Sequence, residues 1–139
     1  MLNWLKSDNS LTKSLGQLGE EFAQAEYKKL GFKIVASNEY NKKGKQLGEI
    51  DFIAVKDNKI VFVEVKTRNL SVLKFGTGAE AVNIYKQQKI LRAVKMYFLR
   101  NQKYLNLQPQ IDVCVMEYNG IDKTFQPAKI LSNAVEDWN

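Results

Sequence analysis

The chain has 139 residues, of which 45% are apolar and 26% charged, so it is long enough and apolar enough to bury the core of one domain. One cysteine and no histidine exclude an internal disulfide, a cysteine-based zinc cluster, a Ser-His-Asp triad and a histidine-ligated zinc site. A net charge of +6 favours polyanionic partners only weakly, and any hydrolytic chemistry must rest on carboxylates, lysine and a hard metal ion.

The sequence contains no segment with the composition of a membrane helix or of a signal peptide. No apolar run approaches the roughly 20 residues that a membrane helix needs, and the first residues carry neither a long apolar stretch nor a small-residue cleavage site. We therefore expect a cytoplasmic protein. Residues 1–12 are polar and predict a flexible N-terminal arm, which leaves residues 13–139 as a single domain.

Helices and strands alternate along the predicted domain. In chain order we predict a helix from a cap at Thr12 or Ser14 to Leu30, a strand over 32–38, a basic loop over 41–46, strands over 49–55 and 59–66, a polar loop over 67–78, a helix over 83–102, a strand over 110–118 and a short helix over 130–135. This order predicts an α/β fold, in which helices flank a β-sheet.

Apolar spacing predicts which face of each long helix is buried. The core-facing residues are Leu15, Leu18, Phe22 and Ala25 in the first helix, and Ile84, Ile90, Leu91, Val94 and Phe98 in the second. Both sets follow the period of 3.6 residues that places side chains on one stripe.

A two-residue turn connects the second and third predicted strands. The turn is Asp-Asn at 57–58, which is typical of a tight β-hairpin. If these two residues are the whole loop, Lys56 pairs with Lys59. Counting outward along the two strands, Asp51 then lies opposite Glu64.

The same count places Glu49 opposite Lys66, on the face that carries Asp51 and Glu64. Two opposed carboxylates repel each other, and buried unpaired charge is costly. A divalent cation relieves that repulsion, and Mg²⁺ takes one or two carboxylates and completes its shell with water and substrate phosphate. Lys66 can orient or deprotonate an attacking water, or offset charge on the phosphate.

The alternative is a solvated strand face with a ladder of glutamate and lysine side chains. An isolated Glu-x-Lys segment is a weak signal for a site. Here, however, the charged residues stand within the strongly apolar segments 50–53 and 61–66. Charges inside such strands favour a functional patch over surface decoration.

The spacing of Asp51 and Glu64-Val65-Lys66 resembles the motif of the PD-(D/E)xK nuclease superfamily. Further segments are similar to the motifs of the bacterial YraN family, namely 16–23, 48–54, 61–68, 86–90, 111–113 and the ending over 130–138. Together the resemblance covers residues 14–138. The nominal proline before the aspartate is replaced by Ile50, which matters little because that proline is not a ligand.

The resemblance implies a restriction-endonuclease-like fold, with a mixed β-sheet flanked by helices, similar to archaeal Holliday junction resolvases. It also implies cleavage of DNA that depends on Mg²⁺, with Mn²⁺ as a substitute. Asp51 and Glu64 would be metal ligands, Lys66 the catalytic lysine, Glu20 a further acidic ligand, and Gln88 a polar site residue on the following helix. Because related resolvases act in pairs, the resemblance implies a homodimer as a candidate assembly.

Glu20 lies off the predicted core stripe of the first helix, on a row with Ala23, Gln24 and Tyr27. An acid in the first turn of a helix is also favoured by the helix dipole alone. Without the resemblance this second interpretation would be preferred. With it, a role in the site is favoured.

Basic side chains surround the acidic patch along the sequence. The candidates for contacts with nucleic-acid phosphates are Lys42, Lys43, Lys45, Arg68, Lys86, Lys89 and Arg92. For any one of them, an ordinary solvated surface charge is the alternative. For the whole chain, three hypotheses remain: a metal-dependent endonuclease, a catalytically weak or inactive nucleic-acid-binding module of the same fold, and an interaction protein that has repurposed the fold.

Overall fold

A computed structural model describes residues 13–38, 47–72 and 84–135. Its elements are helix α1 (Leu15–Lys29), strands β1 (Lys33–Ser37), β2 (Phe52–Lys56) and β3 (Lys59–Asn69), a 3₁₀ turn (Leu70–Val72), helix α2 (Ile84–Arg100), a second 3₁₀ turn (Gln102–Tyr104), and strands β4 (Gln108–Asn119), β5 (Thr124–Phe125) and β6 (Lys129–Leu131). The predicted arm over 1–12 and the basic loop with Lys42, Lys43 and Lys45 lie outside the described residues.

The six strands form one mixed sheet in the order β1-β2-β3-β4-β5, and β6 pairs with β4. Strands β1, β2 and β3 are antiparallel neighbours, whereas β3 and β4 are parallel along eleven paired residues from Lys59 to Asn69. Parallel neighbours need a crossover, and α2 lies in that connection. The α/β prediction is confirmed. Neither described helix is long and apolar enough to cross a membrane.

The sheet separates two apolar layers. On one face, Ala23 and Tyr27 of α1 pack with alternate residues of the strands, Phe52, Ala54, Val61, Val63, Cys114 and Met116. On the other face, Ile90 and Val94 of α2 pack with the intervening residues, Ile53, Ile60, Phe62 and Ile111. Each helix therefore covers one face, and the alternation of side chains along the strands decides which residues meet which helix.

The turn at 57–58 forms as predicted. Asp57 has a φ of 54°, the left-handed conformation that tight hairpin turns require, and Lys56 pairs with Lys59. The ladder continues to the pair of Phe52 and Val63. The predicted register is therefore confirmed, although β2 begins three residues later than the predicted strand over 49–55.

Helix α1 begins where the sequence predicts but buries a different face. Ser14 caps it in a capping box, in which the Ser14 hydroxyl accepts from the Gln17 amide at 3.1 Å and the Gln17 side chain accepts from the Ser14 amide at 2.8 Å. The predicted core stripe is wrong, because Phe22 is half exposed and Ala25 is exposed. The buried residues are Gly19, Glu20, Ala23 and Tyr27.

Helix α2 spans nearly the predicted range. Ile90 and Val94 are buried, and Leu91 and Phe98 pack partly buried against the same layer, as predicted. Ile84 is 59% exposed, so its predicted core position is wrong. It is the first residue of the helix, and its side chain is exposed to solvent there.

The predicted helix over 130–135 is wrong. Strand β6 occupies its first part, and Ile130 pairs with Cys114 of β4. The chain then turns through Asn133, which has a φ of 53°, and the Ala134 amide donates to the Ile111 carbonyl at 2.8 Å. This segment pairs with the edge of β4, because strand pairing satisfies backbone N–H and C=O groups that a short isolated helix would leave without hydrogen bonds. The predicted loop over 67–78 is also wrong at its start, where β3 continues to Asn69.

Candidate metal centre

Asp51 stands one residue before β2 and is held by the main chain on both sides. Its amide donates to the Val63 carbonyl of β3 at 2.9 Å, and its carbonyl accepts from the Asn38 amide at 2.9 Å. The paired ladder of β2 and β3 ends at Phe52 and Val63, so Asp51 and Glu64 are not paired strand residues. Their carboxyl groups are nevertheless in hydrogen-bonding contact, so the two acids meet as the sequence predicts.

Asn38 holds the turn that leads to Asp51, which sequence reasoning did not foresee. Its side-chain amide donates to the Ile50 carbonyl at 2.6 Å, and its side-chain oxygen accepts from the Leu47 amide at 3.2 Å. The same turn contains Gly48, with a φ of 62°, where an added Cβ would come to 3.2 Å from the side chain of Ala93 on α2. Asn38 therefore positions Asp51 without touching its carboxyl group.

Three acidic side chains from separate parts of the chain meet at this point. Glu20 of α1 and Glu64 of β3 are 5% and 7% exposed, and Asp51 is partly buried. The carboxyl of Asp51 is in hydrogen-bonding contact with both. Its Oδ2 also accepts from the Val65 amide at 2.7 Å. The structure thus brings together the three acids predicted for the site.

The proximity of these groups changes their ionisation. Burial, followed by the charge of Asp51, raises the pKa of Glu64 to about 8, and the ion pair with Lys86 opposes the shift. Burial also raises the pKa of Asp51 to about 6, with hydrogen bonds from Glu64 and from the Val65 amide in opposition. The negative charges of Asp51 and Glu64 are therefore incompletely compensated, and a bound metal ion would compensate them.

Lys86 enters the site from the first turn of α2. Its Nζ lies 2.8 Å from Glu49 Oε1 and 3.2 Å from Glu64 Oε2. Burial lowers the pKa of Lys86, but its hydrogen bond with Glu49 and its ion pair with Glu64 outweigh this and raise it. The predicted strand pairing of Glu49 with Lys66 is wrong, because the ladder ends at Phe52 and Glu49 lies in the preceding turn.

Glu64 has one oxygen suited to a further ligand. Its Oε2 is buried, and among the described residues no donor reaches it with hydrogen-bond geometry, so the contact with Lys86 is an ion pair without a directed hydrogen bond. A buried orphaned carboxylate oxygen beside Asp51 fits the one or two carboxylates that Mg²⁺ takes. Over 13–38, 47–72 and 84–135, no group of three or more carboxyl or thiol side chains is arranged to hold one ion. Glu20 as a third ligand stays a prediction.

The other predicted site residues differ in their placement. Lys66 and Arg68 follow Glu64 at every second position of β3, so all three lie on one face. Lys66 is partly buried, whereas Gln88 is exposed on α2. The helix thus brings Lys86 to the carboxyl groups, and the role implied for Gln88 stays a prediction.

A hollow adjoins the site beside the turn that carries Glu49. Exposed basic residues of α2, Lys89, Arg92 and Arg100, line it together with Glu49 and the apolar part of Met96. Two of the predicted phosphate-contacting residues, Lys89 and Arg92, therefore line the same hollow as Glu49. Arg68 stands on the strand that carries Glu64.

Comparison with known protein families matches residues 19–116 to the family described as "Uncharacterised protein family UPF0102". A UPF0102 protein of Caldanaerobacter subterraneus subsp. tengcongensis is 38% identical over 122 residues, which are 88% of this chain and 94% of that protein. One of Caldicellulosiruptor saccharolyticus is 39% identical over 122 residues, 88% of this chain and 97% of that protein. One of Clostridium botulinum is 33% identical over 124 residues, 89% and 95% of the two chains.

Proposed function

The chain belongs to the UPF0102 family, the YraN family of the PD-(D/E)xK nuclease-like type, and we propose that it is a Mg²⁺-dependent endonuclease that hydrolyses phosphodiester bonds in DNA. Branched or junction DNA is the proposed substrate. The observation that carries the proposal is the buried contact of Asp51 with Glu64. The Oε2 atom of Glu64 accepts no hydrogen bond from the described residues, and Glu64 lies two residues from Lys66. Two buried carboxyl groups in contact are costly, and the ion pair with Lys86 does not bring the pKa of Glu64 back to its ordinary value, so a metal ion would stabilise the pair further.

Asp51 and Glu64 would hold the metal ion. When bound, Mg²⁺ supplies positive charge that stabilises the scissile phosphate as negative charge develops on it. Burial raises the pKa of both acids, and a bound cation would shift them to the ionised form that binds it. Mn²⁺ would substitute, since it accepts the same oxygen ligands.

Lys66 would assist the attacking water. Its side chain leaves β3 on the face of Glu64, and within the described part of the chain no acid forms an ion pair with it. An ammonium without a competing carboxylate can orient the water or neutralise charge on the phosphate in the transition state.

DNA phosphates would follow the basic hollow on α2. Lys89, Arg92 and Arg100 line it beside Glu49, which Lys86 connects to Glu64. Contacts of this kind bind the backbone without reading sequence, and they make affinity fall steeply with salt. They favour a polyanionic substrate over a small phosphate ester. A homodimer and a cytoplasmic location are further parts of the proposal.

The test is cleavage by the purified full chain. Labelled four-way junctions, flaps, duplex DNA, single strands and RNA are incubated with Mg²⁺, with Mn²⁺ or with a chelator. We expect metal-dependent cleavage of a branched DNA. Asp51→Asn, Glu64→Gln and Lys66→Met should each lower the rate by about 10²-fold or more, since each removes a group that acts on the reacting atoms.

Glu117→Gln is the matched control for these variants. Glu117 is a carboxylate as buried as Glu64, but it lies on β4 and pairs with Lys129 at 2.8 Å, so its loss should leave the cleavage rate unchanged. Failure to cut any substrate, or cutting that survives the Asp51 and Glu64 substitutions, contradicts the proposal. Tight DNA binding that needs neither metal nor Asp51 favours the nucleic-acid-binding module instead.

A further inference from the structure

A positively charged group of the protein itself already lies against the acidic cluster. The Lys86 ammonium is 2.8 Å from Glu49 Oε1 and 3.2 Å from Glu64 Oε2, and it bridges the turn before β2 and strand β3. Its side chain is about one-third exposed, so the ammonium reaches inward from the rim of the site. Lys86 thus performs for these carboxylates part of the neutralisation that a metal ion would perform.

The ammonium and a metal ion would compete for the same oxygen. Lys86 approaches Glu64 at Oε2, which is the buried oxygen that no directed hydrogen bond satisfies. A divalent ion on that oxygen would stand a few ångströms from the ammonium, and two cations at that distance repel each other strongly in a partly buried site. An ammonium in contact with Glu64 Oε2 therefore opposes the binding of a divalent ion to that oxygen.

From this geometry we propose that Lys86 is an internal counter-cation of the site, which a divalent metal ion displaces from Glu64. The inference rests on the proposed function, because it takes Glu64 as a metal ligand. Lys86 holds Glu49 and Glu64 in position while no metal is bound. On metal binding its ammonium leaves Glu64 and keeps its contact with Glu49.

The first test measures metal affinity. Mn²⁺ is titrated calorimetrically into the wild-type chain and into Lys86→Met, which keeps the length of the side chain and removes its charge. The variant should bind Mn²⁺ at least about tenfold more tightly, because no ammonium has to be displaced. Lys95→Met is the matched control, since Lys95 is exposed on the same helix and its loss changes the net charge equally. It should bind as the wild type does.

The second test uses the wild-type chain and does not depend on the folding of a variant. Lysines are acylated with a small amine-reactive ester with and without Mg²⁺, and the modified positions are quantified by mass spectrometry. Released from Glu64, Lys86 should react at least about threefold faster with Mg²⁺ present, since an ammonium that is paired with fewer carboxylates loses its proton more readily. Lys95 should react equally in both conditions.

The outcomes separate the two proposals. Metal binding with unchanged acylation of Lys86, or with equal affinity in Lys86→Met and the wild type, overturns the inference and leaves the metal site standing. Absence of any divalent cation binding in the wild type overturns both. Neither the metal titration nor the acylation experiment depends on cleavage of DNA.

Discussion

Glu64 is in contact with two groups of opposite charge, the Asp51 carboxyl and the Lys86 ammonium, in a position that water hardly reaches. Burial and the neighbouring acid raise its pKa more than Lys86 lowers it. Without metal, therefore, the folded chain keeps a proton on this pair of acids at neutral pH. That retained proton makes stability depend on pH in a direction opposite to that of a salt-bridged carboxylate.

The metal-free chain should lose stability as pH rises. Glu64 has a pKa of about 8 when folded, against 4.5 ordinarily, so between these values the folded chain binds more protons than the unfolded chain. The contribution is complete below pH 4.5 and is lost as pH rises through 8. At about 1.4 kcal/mol per pKa unit, we expect the free energy of unfolding to fall by up to about 5 kcal/mol over this window, measured by urea unfolding with a chelator present.

Glu64→Gln should flatten most of that fall, because a neutral amide has no proton to lose. Above pH 8 this variant should be more stable than the metal-free wild type. The fall should persist in Glu117→Gln, which neutralises a buried carboxylate outside the site. A wild-type chain whose stability rises across the same window would contradict the raised pKa.

At the scale of the element, helix α1 shows what periodicity misses. Leu18 and Phe22 have the spacing of a core stripe, yet Phe22 is half exposed, and the centroid of its tilted ring lies 4.9 Å from that of Phe125. The buried face contains two small residues, Gly19 and Ala23, and the acid Glu20. Small residues let the helix approach the sheet closely, and this approach delivers Glu20 to Asp51. An apolar count cannot recognise a face that buries a charge.

Gly19→Ala should push α1 away from the sheet. A Cβ at Gly19 would overlap the Thr67 side chain on β3, and overpacking of this kind costs about 1–3 kcal/mol. Thr67→Ala in the same chain removes the overlapping atoms and should restore part of the loss. Urea unfolding of the two single variants and the double variant measures the coupling.

The same displacement should weaken Mn²⁺ binding, because Glu20 follows Gly19 directly and moves with the helix. Additive effects of the two substitutions, or a Gly19→Ala variant as stable as the wild type, would show that α1 does not depend on this close approach.

Across the whole molecule, a second buried acid ties distant segments together. Asp112 of β4 accepts from the Tyr27 hydroxyl of α1 at 2.7 Å, from the Gln110 side chain at 2.9 Å and from the Asn133 amide at 3.2 Å. It is 2% exposed, and burial with the Asp112 contact raises the pKa of Tyr27 above its ordinary value, so the hydroxyl stays a donor. Unlike Glu64, Asp112 has both oxygens satisfied, which identifies it as structural.

Tyr27→Phe should lower the free energy of unfolding by about 1–3 kcal/mol, because a buried carboxylate oxygen of Asp112 loses its donor. Metal binding and DNA cleavage should persist under conditions where the variant is folded. Tyr118→Phe is the control, since within the described ranges the Tyr118 hydroxyl donates no hydrogen bond and its ring packs on Phe125. Equal stability of the two variants would contradict the role of the Asp112 contacts.

The sequence by itself determined the hairpin register, the proximity of Asp51 to Glu64, the face of Lys66 and the capped start of α1. These follow from a short turn, the period of two along strands and a local cap, all of which act between residues close in sequence. The α/β order was also predicted, since alternating elements restrict the available folds.

Only the tertiary structure decided the buried face of α1, the pairing of the segment after Lys129 with β4, the hold of Asn38 on the turn before Asp51, and the ion pairs of Lys86. Each depends on a partner far along the chain, 9 to 12 residues for the Asn38 side chain, 22 for Lys86 with Glu64 and 85 for Tyr27 with Asp112. Local sequence patterns do not indicate which distant segment packs against a given residue. The charge balance of the site is therefore set only when the helices and the sheet pack together.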